Sequence, residues 1–216
     1  MPQNGILAMG SARLWAEFLI LFCGVPLLLA FALPPTAMFT VLGVFTAAGV
    51  VLLARTDGFR WAELIVPGRF SWRAVFGFAL SVAVLSSGAV LVLFPGNFLM
   101  LQRQAPELWL MIMVLYPLVS AVPQELIFRP LFFRRYGSLF PDRNVAILAN
   151  AALFALAHLM YQSGLVLAMT FAGGLAFAWA YQVRGSFILA CVLHAVAGQI
   201  VFTSGLGILF YSGAVN

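Results

Sequence analysis

Residues 108–129 read LWLMIMVLYPLVSAVPQELIFR, a run of apolar side chains in which the charged members are Glu125 and Arg129. A bilayer core of about 30 Å needs about 20 such residues in a helix rising roughly 1.5 Å per residue, so the run is long enough to cross. The rest of the chain repeats the theme. Its 216 residues are 64% hydrophobic and 8% charged, whereas a water-soluble domain carries charge on about a quarter of its residues. The sequence therefore predicts an all-α, polytopic transmembrane helix bundle. A chain of this length holds at most about eight spans with short loops, which excludes a large extramembrane domain.

Seven apolar stretches can be marked outward from that run, at 14–33, 36–54, 74–94, 108–129, 145–160, 164–182 and 187–203. Pro34 and Pro35 separate the first two with almost no loop. The longest polar interval runs from Arg55 to Arg73, and Trp61 and Trp72 suit headgroup depth there. No internal repeat or linker divides the chain, so 1–216 is read as one membrane domain with its motif-bearing core at about 108–205.

All eleven basic residues are arginine, which removes lysine Schiff-base chemistry. The net charge of +5 does not point to nucleic acid, because the arginines are scattered between apolar segments instead of forming one soluble face. They act as topology signals. With the N-terminus cytoplasmic, nine arginines fall inside, Arg103 falls outside and Arg129 stays within a span, which predicts seven helices running N-in to C-out. Ala30-Phe31-Ala32 has the small-residue pattern of a signal-peptide cleavage site, but the length of the preceding run and Glu17 within it favour a retained span. Cys23 and Cys191 lie deep in apolar runs and imply neither a disulfide framework nor a thiolate metal site. Ala168, Ala172, Ala176 and Ala180, beside Gly173 and Gly174, make a small-residue stripe that favours close helix packing over a groove wall.

Ionisable side chains inside spans are costly and mark function by default. Five are present: Glu17, Glu125, Arg129, His158 and His194. In the fourth span Glu125 precedes Arg129 by four residues, the favourable order for a pair on one helix face. Pro117, Pro123 and Pro130 predict a kinked or broken helix there, with the carbonyls of Met113, Val119 and Leu126 freed. In the fifth, Asn150, Phe154 and His158 stand at four-residue steps on one face. In the seventh, Gly198 follows His194 by four residues. Counting from the span ends, His194 lies about 15 Å deep, Glu125 about 16 Å and His158 about 21 Å, heights compatible with one buried site.

These residues resemble the motifs of the CAAX-protease and bacteriocin-processing family of intramembrane proteases, EExxxR, FxxxH and HxxxN on successive helices. They stand here as Gln124-Glu125-xxx-Arg129, Phe154-xxx-His158 and His194-xxx-Gly198, within about residues 108–205. The resemblance implies a peptide hydrolase that activates a water, with a glutamic-type or metal-assisted chemistry. Catalytic roles fall to Glu125, His158 and His194, and supporting roles to Gln124, Arg129, Phe154 and Gly198. His158 would bind the water, His194 would face the oxyanion, and Glu125 with Arg129 would hold the site together.

Two departures bear on activity. Gln124 replaces the water-activating glutamate, and an amide cannot take that proton at neutral pH. Gly198 replaces the asparagine donor, the loss of which costs about 2.7 to 4 kcal/mol in a protease oxyanion site. Gln199 is no replacement, since it points about 140° round the helix from His194. A branch of the family with Gln-Glu in the first motif resembles the chain more closely. If catalysis survives, Glu125 is the carboxylate left to act as base, which requires it to leave Arg129. No cofactor is required by this reading. A divalent metal such as zinc would use His158, His194 and Glu125, although the HExxH spacing is lacking.

The expected function is an intramembrane endopeptidase cleaving a membrane-embedded or lipidated peptide, in a bacterial inner membrane by the same resemblance. Two alternatives stand beside it. One is an inactive relative that binds a transmembrane peptide, the other a small proton-coupled transporter, which the lack of an inverted repeat disfavours.

Overall fold

A computed structural model describes residues 12–210. Among these residues every regular element is helical, and seven helices are long and apolar enough to cross a membrane: α1 (Ala12–Phe31), α2 (Pro35–Ala54), α3 (Trp72–Leu93), α4 (Pro106–Leu139), α5 (Arg143–Tyr161), α6 (Gly164–Gln182) and α7 (Phe187–Ser204). All seven predicted spans are present, with ends shifted by a few residues except in α4. Exposed Leu80, Val92, Val114 and Leu118 give the bundle an apolar outer wall, the inverse of a soluble protein's surface. The chain is an integral membrane protein.

Helix α4 corrects the expectation. It is neither broken nor finished at Arg129, but runs on for ten more residues, through Pro130, to Leu139. Pro117 and Pro130 lie in widened π turns, Pro117–Ala121 and Ile127–Tyr136, which keep the helix going while shifting the register of its faces, and Pro123 stands in the α-helical stretch Val122–Leu126 between them. One freed carbonyl is satisfied as expected from the proline pattern: Met113 O accepts from Gln199 Nε2 of α7 at 2.7 Å. That bond also explains why Gln199 takes no part in the site.

Short side chains set the helix spacing. Gly174 of α6 sits so close to α5 that a Cβ there would stand 3.0 Å from Ala151 Cα. Ala178 and Ala180 are fully buried in the same layer, while Ala168, Ala172 and Gly173 border a cavity. The predicted stripe thus serves both of its readings, packing at one end and wall at the other.

Hydroxyl side chains start three helices. Ser71, Ser163 and Ser186 accept from the amides of Ala74, Val166 and Leu189 respectively, and Asp142 accepts from Asn144 and Val145 at the start of α5.

At the arginine-rich end the α2–α3 connection, which includes a short 3₁₀ turn at Trp61–Ile65, straps onto the α6–α7 turn. The Arg69 amide donates to Arg184 O at 2.8 Å, and the Arg184 guanidinium donates back to Arg69 O. Gly68 is required at the crossing: its φ is +54°, and a Cβ would overlap the Gly185 carbonyl. Trp61 and Trp72 are exposed on this side, as an interfacial segment demands. Glu17 of α1 is also explained here, for it accepts from both Arg135 and the Tyr136 hydroxyl of α4. It staples α1 to α4 and stands outside the site. Cys23 and Cys191 are both free thiols.

Candidate active site

The site is assembled from α4, α5 and α7, whose polar residues meet where the three helices pack. Glu125 and Arg129 project from one face of α4, and both side chains are fully buried. Arg129 Nε donates to Glu125 Oε2 at 2.7 Å, and Nη2 reaches Oε1 at 3.3 Å. The third arm, Nη1, donates to Asn150 Oδ1 of α5. Asn150 in turn donates to the Phe128 carbonyl at 2.6 Å, a backbone oxygen in the widened part of α4. The guanidinium also lies over the rings of Phe154 and Phe177, 5.3 and 5.7 Å from their centroids. A buried charge is tolerable only when paired and hydrogen-bonded, and this one is both.

Glu125 has a second partner. His194 Nδ1 of α7 stands 2.9 Å from Oε1 and donates to it, and its Nε2 makes no hydrogen bond among the described residues. Phe177 fixes the ring from below, stacked at 4.8 Å between centroids and 12° between planes. Glu125 therefore does not leave Arg129; it binds the guanidinium and one imidazole at once.

His158 is held differently. It lies just past the last α-helical turn of α5, and the Phe154 carbonyl accepts from its Nδ1 at 2.8 Å, again leaving Nε2 free. Phe154 separates the two histidines, with ring centroids 4.8 Å from His158 and 5.4 Å from His194. The FxxxH spacing thus has a physical meaning: the phenylalanine supplies a carbonyl to one imidazole and a ring contact to both.

Both imidazoles line a cavity of about 1120 Å³ between the helices, walled mainly by apolar side chains such as Phe45, Leu85, Leu115 and Met169. A volume of this order accommodates an extended apolar chain together with a few peptide units. Gln124 also borders it. Its Nε2 donates to Ser120 Oγ at 2.9 Å, and its Oε1 is buried without a partner. Among the described residues no three His, Cys, Asp or Glu side chains come together as a metal-ligand set. The donor arrangement explains this, because Glu125 spends its oxygens on Arg129 and His194. The residues present do not fit a three-ligand zinc centre.

Gly198 lies on the cavity wall, and the reason for a glycine is Tyr116. A Cβ at 198 would overlap Cε1 and Cζ of the tyrosine ring and stand 2.5 Å from its hydroxyl oxygen. The same ring meets His194 edge-on at 6.0 Å. Tyr116 and Phe177 are the two site neighbours that the sequence reading passed over. Tyr116, Ser120 and Gln124 do recur at four-residue spacing, and that periodicity was the available signal.

No curated protein and no solved structure matches the chain. Residues 106–199 match the family model described as type II CAAX prenyl endopeptidase Rce1-like. The matched segment begins with α4 and ends at Gln199, so it holds Glu125, Arg129, Asn150, His158 and His194 together. Over that segment, which is less than half of the chain, the protein is similar to the Rce1-like family of type II CAAX prenyl endopeptidases.

Proposed function

We propose that the protein is an intramembrane endopeptidase that hydrolyses a peptide bond in a membrane-anchored, lipidated substrate, with its arginine-rich end cytoplasmic and its host membrane a bacterial inner membrane. The observation that carries this reading is the chain Arg129–Glu125–His194, a buried carboxylate hydrogen-bonded to Nδ1 of an imidazole that lines the cavity. A carboxylate in this position favours the tautomer with the proton on Nδ1 and stabilises the imidazolium that forms when Nε2 accepts a proton. His194 is then the base that deprotonates water, in place of the carboxylate that Gln124 has removed. His158 Nε2 accepts the water's other hydrogen and holds the nucleophile. The apolar cavity excludes bulk water and strengthens these interactions. No step runs through a metal.

A second reading rests on Gln124 and Gly198: a non-catalytic relative that binds a lipidated peptide in the same cavity. One experiment separates the two. Purified protein in detergent micelles is given a quenched fluorescent peptide carrying an S-prenylated cysteine near its C-terminus. Cleavage by the wild type, and its loss by at least about 10² in His194→Ala and in His158→Ala with thermal midpoints retained, supports the hydrolase. Binding without cleavage would replace it with the second reading.

A further inference from the structure

Hydrolysis through His194 as base leaves one requirement unmet. Water oxygen attacks the carbonyl carbon, the C=O π pair moves onto the carbonyl oxygen, and a water proton passes to His194 Nε2. The C–N bond then breaks with its electron pair going to nitrogen, which takes the proton back from His194. Between these steps the carbonyl oxygen carries a negative charge in an apolar cavity, where an unassisted anion is costly. An imidazole acting as base cannot also donate to that oxygen.

The wall of the cavity contains few polar hydrogens, and most are committed. Ser81, Ser86 and Thr170 donate to backbone carbonyls of their own helices. The Tyr161 hydroxyl is spent on Met38 Sδ at 3.1 Å, Gln124 donates to Ser120, and the Ser120 hydroxyl, although its own hydrogen is uncommitted, is tied to Gln124 and is not in contact with His194 as the Tyr116 ring is. Arg129 is enclosed by Glu125 and Asn150. Tyr116 differs. Its hydroxyl has no hydrogen-bond partner among the described residues, its ring borders the cavity beside His194, and Gly198 leaves it the space to lie there.

We propose that Tyr116 is a catalytic residue that donates a hydrogen bond to the developing oxyanion, and that Gly198 is a glycine so that the tyrosine ring can occupy that place. The inference rests on the hydrolase reading of the same site. The tyrosine keeps its proton throughout, so the step balances without a further acid. It also accounts for the departure at Gly198: the donor has moved from α7 to α4.

The decisive variant is Tyr116→Phe, which keeps the ring against Gly198 and removes only the hydroxyl. With the prenylated fluorescent peptide, kcat should fall by about 10² to 10³ while KM stays within about twofold, as for loss of one oxyanion donor. A phosphinate analogue of that peptide, tetrahedral and anionic, should lose affinity by a similar factor, while the parent peptide binds unchanged. The double variant Tyr116→Ala with Gly198→Asn, which returns a donor to α7 in the vacated space, should be at least about ten times as active as Tyr116→Ala. Wild-type turnover and phosphinate affinity in Tyr116→Phe would overturn the inference and leave the hydrolase reading intact, and so would a lowered thermal midpoint with kcat unchanged. A wild type that fails to cleave yet binds the phosphinate through Tyr116 would overturn the hydrolase reading and uphold the donor.

Discussion

Helix α4 carries two carboxylate–arginine pairs, and they are built for opposite purposes. Near its end, Arg135 grips Glu17 of α1 with both arms of its guanidinium, and the two side chains remain 18% and 20% exposed. Six residues earlier, Arg129 grips Glu125 of its own helix, and both are 0% exposed. The outer pair joins two helices and retains contact with the surroundings. The inner pair joins nothing by itself, but each partner reaches a further helix, Arg129 to Asn150 of α5 and Glu125 to His194 of α7. Placing an ion pair in the interior rarely adds net stability, because desolvation offsets the attraction. Its presence here is understood through what it aims, an imidazole at a cavity.

The largest effect that separates the pairs is removal of the inner cation. Arg129→Leu strands the Glu125 carboxylate in an apolar interior and should lower stability by about 3 to 5 kcal/mol, read as the midpoint shift in a denaturing-detergent titration, with hydrolysis lost. Asn150→Leu should cost about 1 to 3 kcal/mol, since it orphans both the Phe128 carbonyl and one guanidinium arm. Gly174→Val, against the Ala151 backbone, should cost a comparable 1 to 3 kcal/mol, roughly, by forcing α5 and α6 apart. The outer pair should be the mildest. Arg135→Leu is expected to cost about 1 kcal/mol and to leave turnover intact in the folded fraction. Equal losses from Arg129→Leu and Arg135→Leu would break the comparison. A charge-reversed double variant sharpens it: Glu17→Arg with Arg135→Glu should recover most of the single-variant losses, whereas Glu125→Arg with Arg129→Glu should not, because His194 would then face a guanidinium.

The fold was legible because apolar runs of bilayer length leave little ambiguity, and all seven appear as helices. The far end of α4 was not. Arginines and a proline together read as the end of a span, and nothing in FRPLFFRRYG announces that widened turns will carry the helix past Pro130. The polar half of the site was legible for the reason that it is costly: Glu125, Arg129, Asn150, His158 and His194 are conspicuous against lipid-soluble neighbours. Tyr116 and Phe177 were not, because an aromatic side chain in a span looks the same whether it faces lipid or a histidine. Partnerships were also beyond reach. That Glu125 serves an arginine and an imidazole together depends on α4 and α7 packing side by side, which no local spacing encodes.

Because a single uninterrupted helix carries both pairs, α4 is a depth gauge. Arg135 marks the level of the arginine-rich end, and Glu125 lies ten residues further along the same rod, at somewhat less than the roughly 15 Å of a regular α-helix because widened π turns fill most of the interval. For a substrate bound as proposed, the scissile bond must sit that far below the surface. The lipid group that anchors it and the number of residues between anchor and cut are then measured against the same rod, so selection by length operates before any side chain is read.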